Sequence, residues 1–184
     1  MDETEPGLVL RELFEAQHAG LYRLARRLSG NRDESLDLVQ ETFLRAARRP
    51  QSVPRGPGAA PWLVRTLVNL CRDRWRRQNV RSREAETVSN LAPQPGNLES
   101  AEVARITVQA ALARLAPRRR AVLVLHELEG LDVAEIARQL GVSRVTVRWH
   151  LSRARNELKS VLAADSTLPG SDRIGVPMLK EGTR

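Results

Sequence analysis

A single cysteine, Cys71, stands among 184 residues, which excludes an intrachain disulfide and any multi-cysteine metal cluster. The three histidines, His18, His126 and His150, lie too far apart for a local metal motif. Cysteine usage of this kind fits the reducing cytosol, so a cytoplasmic location is expected. Lysine is almost missing as well, with only Lys159 and Lys180, and aromatic residues make up just 3% of the chain. No apolar run approaches the roughly 20 residues that cross a bilayer. The N-terminus carries Asp2, Glu3 and Glu5 instead of a basic signal segment, so the expectation is a chain neither secreted nor inserted in a membrane. There is no phosphate-cradling glycine loop, no plausible metal set and no nucleophile beside a paired base, which argues against an enzyme, a small-molecule substrate and a cofactor.

What is present is enough apolar residue, 41%, for compact cores, and a net charge of +8 carried almost wholly by arginine. Planar, permanently charged guanidinium forks suit phosphate and base edges, although a GC-rich coding sequence produces the same bias. The charge is unevenly spread. Residues 8–83 hold sixteen arginines against seven acids, a net +9, and residues 84–104 hold four glutamates and no base. Residues 105–163 hold eleven bases against five acids, a net +6. Two basic blocks thus flank an acidic joint that contains Pro93, Pro95 and Gly96 and lacks apolar periodicity. The expected organisation is a domain over residues 8–80, a flexible acidic linker over 81–100, a second domain over 101–163 and a disordered tail over 164–184. Domains this small bury only about 60% of their unfolded surface.

Both blocks read as helical, and no strand-like alternation of useful length occurs. Leu10, Leu13, Phe14, Leu21, Leu24, Ala25 and Leu28 recur at helical spacing, with Gly30 where a C-terminal cap belongs. A second helix is expected over residues 33–49, with Leu36, Val39, Phe43, Ala46 and Ala47 inward and Pro50 closing it. The stretch from Pro50 to Pro61 holds four prolines and reads as a loop, and Pro61 suits the first turn of a third helix through Arg77. In the second block, Val103, Ile106, Ala110 and Leu115 mark a helix ended by Pro117, and a further helix is expected from Arg118 to Glu129. The fold class is therefore all-α: an N-terminal helical bundle and a C-terminal helical domain joined by the linker.

The sharpest motif spans Val133 to Arg155. Asp132 followed by Glu135 forms a capping box, Val133, Ile136, Ala137 and Leu140 face inward, Gly141 supplies a left-handed turn and Ser143 caps the last helix. Small Ala137 sits where two helices approach closely. This helix, three-residue turn, helix arrangement is a helix-turn-helix signature. The final helix buries Val147, Leu151, Ala154, Leu158 and Leu162. Its opposite side presents Val145, Arg148, Trp149, Ser152 and Arg155, with the N-terminal half placed to enter a major groove. Arg148 could grip a guanine edge, Val145 and Trp149 offer apolar contact, and Ser152 could donate to a base or phosphate. Arg144, Arg153 and Arg155 are better placed for phosphates. His150 lies nearer the apolar stripe and reads as a packing or phosphate-facing residue. His126 reads equally as a phosphate contact or a plain surface histidine.

On the third helix, Leu63, Val64, Leu67, Val68, Leu70, Cys71 and Trp75 share one side. Trp62, Arg65, Thr66, Asn69, Arg72, Asp73 and Arg76 share the other. An aromatic beside arginines and an amide is how proteins hold unstacked bases, but Trp62 could instead pack beneath the proline-rich loop before it. The second helix turns Asp37, Gln40, Glu41, Leu44 and Arg45 outward. Its two carboxylates would repel phosphate, so this face suits a protein partner or is simply a charged surface.

With these motifs in place, residues 8–163 resemble an extracytoplasmic-function sigma factor, a promoter-recognition subunit of bacterial RNA polymerase. LDLVQETFLRA (36–46) resembles the family's polymerase-docking helix. PWLVRTLVNLCRDRWRR (61–77) resembles its minus-ten reading and melting helix, and LEGLDVAEIARQLGVSRVTVRWHLSRARNEL (128–158) its minus-thirty-five reader. The resemblance implies polymerase contacts at Asp37, Gln40, Glu41 and Leu44. It places Asn69 at a base-contacting position for the minus-ten element, where the helix face adds Trp62, Arg65, Arg72 and Arg76 as candidates. It places Arg148, Trp149, Ser152 and Arg153 at upstream-reading positions, where the helix face adds Arg144, Val145 and Arg155. Implied partners are core RNA polymerase, promoter DNA as duplex and melted strand, and an anti-sigma factor, with no catalytic role. The chain departs from the family pattern in having only Val53 in the loop before Trp62, and Trp149 and His150 where Ser and Arg are frequent. Two rival readings stay open. A stand-alone regulator would use the same helix-turn-helix without polymerase, and a helical adaptor would sequester other proteins.

Overall fold

The computed structural model of the chain describes residues 5–84 and 100–166. Among them lie seven α-helices and no strand. They are α1 (Glu5–Ser29), α2 (Arg32–Arg48), α3 (Ala59–Glu84), α4 (Ser100–Arg114), α5 (Pro117–Glu127), α6 (Val133–Leu140) and α7 (Arg144–Ser166). Between α2 and α3 the proline-rich stretch forms two short 3-10 turns, Pro50–Ser52 and Gly56–Gly58. The expected linker falls largely outside the described residues, as does the tail beyond residue 166. However, α3 continues past Arg77 to Glu84, into the segment read as linker. From Gln78 to Glu84 there is no Gly or Pro, and Gln, Arg and Glu propagate a helix readily.

Local chemistry explains the helix ends. The side chain of Asn31 accepts the Glu34 N–H at 3.0 Å and starts α2. Asp132 and Glu135 complete a reciprocal capping box at α6, with distances of 2.7 and 2.9 Å. Ser143 accepts the Thr146 N–H at 3.0 Å and opens α7.

The apolar stripes differ from expectation in places. On α2 the buried set is Ser35, Leu38, Val39, Thr42, Phe43 and Ala46, whereas Leu36 and Ala47 are exposed. The stripe is rotated because α2 packs against both α1 and α3. Thr42 is tolerated in the core because its hydroxyl donates to the Leu38 carbonyl at 2.7 Å. On α4 Ala111 and Leu112 are buried, as is Leu115 just beyond it, and Ala110 is exposed, while the side chains of Val103 and Ile106 lie outside those described. On α7 Val147, Leu151 and Ala154 are buried as expected, whereas Leu158 and Leu162, nearer its end, are half-buried.

A single apolar cluster runs through both halves of the chain, joining Leu28, Leu63 and Leu67 to Leu112, Leu115, Ile136 and Val147. The polar contacts between the halves follow one rule: a donor from one half caps a helix C-terminus in the other. Gln109 of α4 donates to the carbonyls of Arg26 and Arg27 at the end of α1, at 3.4 and 3.1 Å. Arg120 of α5 donates to Leu28 at the same end. In return, Arg27 donates to the Leu128 carbonyl that closes α5, at 3.3 Å, and pairs with Glu129. Arg65 of α3 donates to Arg138 and Gln139 at the end of α6, both at 3.3 Å. Helix C-termini carry unsatisfied carbonyls and partial negative charge, which is what guanidinium and amide donors satisfy.

Two glycines make these approaches possible. Gly30 and Gly141 end α1 and α6 with left-handed φ of 76° and 65°. A Cβ at Gly30 would stand 2.9 Å from Gln109 Nε2, and one at Gly141 would stand 2.7 Å from Arg65 Cζ. Each position needs glycine twice over, for the turn and for the incoming side chain.

Candidate nucleic-acid interface

The α6–turn–α7 unit holds its presenting helix by three local devices: the capping box, the left-handed Gly141 and the Ser143 cap. With Val147, Leu151 and Ala154 anchored, the other side of α7 is turned outward. Val145 is 71% exposed and Trp149 49%, and Arg144, Arg148, Ser152, Arg153 and Arg155 are exposed with them. An open groove of about 360 Å³ beside this face is lined by His126, Val133, Arg148, Ser152, Arg155 and Lys159 among others. Arg155 is tethered there by Glu127, its Nη2 lying 2.7 Å from the carboxylate. The result is an apolar pair within a cationic frame, suited to a groove edged by phosphates.

Trp149 is held from several sides. The guanidinium carbons of Arg119 and Arg153 lie 5.6 and 5.8 Å from its ring centroid. Its edge meets His150, with centroids 4.9 Å apart. Arg119 is itself ion-paired with Glu157. Burial, and then the nearby Arg118 and Arg119 charges, hold the His150 imidazole below its ordinary pKa. Sequence reading singled out Trp149 but not Arg119, which was visible only as one of three consecutive arginines.

The α3 face is less open than expected. Trp62 is half-buried against the core instead of standing free, as the packing alternative required. Its position on the first turn of α3 lets it cover apolar neighbours. Arg65 is exposed but engaged with the end of α6. Asn69 and Arg72 are half-buried, Arg72 bonding Asp73 at 3.1 Å, and Arg76 is exposed. On α2, Asp37, Gln40 and Leu44 are exposed. Asp37 lies 3.6 Å from Arg74 of α3, and Glu41 accepts from Arg45 at 3.1 Å. These side chains lie along one outward side of α2, and Leu44 among them is 39% exposed.

Beneath these faces, a cavity of about 170 Å³ between the halves is lined by Leu28, Glu34, Cys71, Trp75 and Arg120, among others. Arg120, 9% exposed, also donates to Ala113 and Leu115 carbonyls at 2.6 and 3.2 Å. Burial pushes the Cys71 thiol up to about 12, with the Glu34 charge adding to the shift. Among the described residues no group of three or more His, Cys, Asp or Glu could hold a metal ion, and no helix is long and apolar enough to cross a membrane.

The chain matches two family models, Sigma-70 region 2 over residues 13–81 and Sigma-70 region 4 over residues 99–158. It is 40% identical over 157 residues to the ECF RNA polymerase sigma factor SigE of Mycolicibacterium smegmatis, covering 82% of this chain and 61% of that protein's length. It is 36% identical over 152 residues to SigM of Mycobacterium tuberculosis, covering 82% of this chain and 76% of the relative. Among solved structures, it is similar to the sigma factor RpoE in complex with the anti-sigma factor NepR from Bartonella quintana. That match has a TM-score of 0.60 and 25% identity and covers 84% of this chain and 97% of the other. CnrH, solved in complex with the cytosolic domain of CnrY, matches with the same TM-score and identity over 85% of this chain and 89% of the other.

Proposed function

Because the chain belongs to the ECF, or extracytoplasmic-function, sigma factors of bacterial RNA polymerase, we propose that it binds core polymerase in the cytoplasm and directs initiation at promoters carrying two recognition elements. The observation that carries this reading is the α6–turn–α7 unit, whose caps and buried stripe leave Val145, Arg148, Trp149 and Ser152 outward within a cationic frame. The upstream element is read by that surface. Arg144, Arg153 and Arg155 serve the phosphates.

The second element is read by α3, where Arg65, Asn69, Arg72 and Arg76 hold an extruded base and the backbone of the melted strand, while Trp62, packed against the core, holds the start of the helix. Polymerase docks on α2 through Asp37, Gln40, Glu41 and Leu44. The chain contributes no catalytic group; the chemistry belongs to the polymerase. Arg65 uses its Nε and one Nη donor on the end of α6 and is exposed, so its other N–H donors are the ones it offers to DNA. By likeness to RpoE with NepR, an anti-sigma factor holds the protein inactive.

The test is copurification with core polymerase followed by run-off transcription. The reading predicts a stable complex and transcripts from defined start sites. A chain that ignores core polymerase and binds duplex DNA equally well alone would be a stand-alone regulator.

A further inference from the structure

The outer face of α7 carries two exposed apolar side chains one turn apart, Val145, 71% exposed, and Trp149, 49% exposed. Only the indole is pinned. Arg119 approaches from α5 and Arg153 from the next turn of α7. Glu157 anchors Arg119, and His150 braces the ring edge. A guanidinium lying against an aromatic ring keeps its in-plane N–H donors free for phosphate. An apolar plane set among cations at the groove-entering end of a helix suits one feature of the major groove, the thymine C5-methyl, the one methyl group that the four bases present there.

We propose that Trp149 is the specificity-determining contact for a thymine in the upstream element and that Arg119, from outside the reading helix, is the residue that positions it. This rests on the sigma-factor reading above. Arg119 acts through the indole: it restricts the ring's rotamers, so that the plane is already in place when DNA arrives.

The test uses the full chain bound to core polymerase. Upstream elements are selected from a randomised duplex pool with the downstream element fixed, and each thymine in the winners is then replaced by deoxyuridine, which removes only the methyl. At one position the replacement should weaken binding roughly fourfold, the equivalent of ~0.8 kcal/mol for one buried methyl-sized group. Trp149→Ala should abolish that penalty. Arg119→Gln should shrink it while leaving the urea midpoint close to wild type, and Arg119→Lys, which keeps a cation over the ring, should restore part of it. Winners without a thymine, or a methyl penalty unchanged in Trp149→Ala, would overturn the proposal. So would a Trp149→Ala defect confined to polymerase binding, since the indole would then dock on protein. In each case promoter-specific initiation by the wild type would leave the sigma-factor reading standing. No initiation from any pool member would remove that reading itself.

Discussion

The guanidinium of Arg65 lies directly over Gly141, donating to the Arg138 and Gln139 carbonyls at 3.3 Å where a Cβ on Gly141 would come within 2.7 Å of it. A residue on the helix assigned to the downstream element thus closes the first helix of the unit assigned to the upstream one. Gly141→Ala forces a Cβ into a left-handed backbone, which costs about 1–2 kcal/mol, and also displaces Arg65. Urea unfolding should show that loss. Arg65→Ala should cost under about 1 kcal/mol, because the contact is solvent-exposed. Its larger effect should be on initiation.

Arg120 has no such latitude. It is buried, and its donors serve three carbonyls, those of Leu28, Ala113 and Leu115. Arg120→Met keeps much of the volume and leaves those carbonyls without their charged donor. The expected cost is about 2–3 kcal/mol in urea, with the contact between α1 and α5 loosened first.

The Cys71 thiol, raised from 9.0 to about 12 by burial, makes stability depend on alkaline pH. Between those values the unfolded chain releases this proton and the folded chain keeps it, so stability falls as pH rises through the window, by up to about 1.4 kcal/mol per pH unit. Below about pH 8 the unfolded thiol is protonated as well and the group contributes little slope. Comparing urea midpoints at pH 8 and 10.5 should show a steeper fall for the wild type than for Cys71→Ala. Maleimide should label the native thiol slowly and the urea-unfolded thiol at once.

The α2 surface offers a separable prediction. Leu44 is 39% exposed and, among the described residues, Glu41 pairs with Arg45 of its own helix, so Leu44→Ala and Glu41→Arg should leave the fold unchanged. Each should weaken core polymerase binding by roughly 10–100-fold if it lies at the centre of the interface. Fluorescence anisotropy with purified core would measure it.

The parts of this molecule that were legible in its sequence are those decided within a few residues. The box at Asp132 and Glu135, the left-handed Gly141, the Ser143 cap and the stripe of Val147, Leu151 and Ala154 all depend on neighbours three or four positions away. What stayed hidden depends on distant partners. Arg120 meets the carbonyl of Leu28, 92 residues earlier, and Gln109 and Arg27 likewise reach across the halves. A helical wheel gives the phase of a helix but not the number of its neighbours. Packing on two sides therefore rotated the buried arc of α2 away from Leu36 and Ala47, and Trp62 turned out half-buried. Arg119 was one of three adjacent arginines whose fates differ entirely: Arg120 is buried, Arg119 clamps Trp149, and Arg118 is exposed.

The proposed function requires two reading surfaces in one chain to engage one stretch of promoter while polymerase holds the chain. The most direct test is initiation by the reconstituted holoenzyme as the distance between the two elements is varied one base pair at a time. A narrow optimum is predicted, with initiation lost when about 5 base pairs, half a helical turn, are added or removed. Initiation indifferent to that spacing, or equal binding of each element by the chain without polymerase, would contradict it.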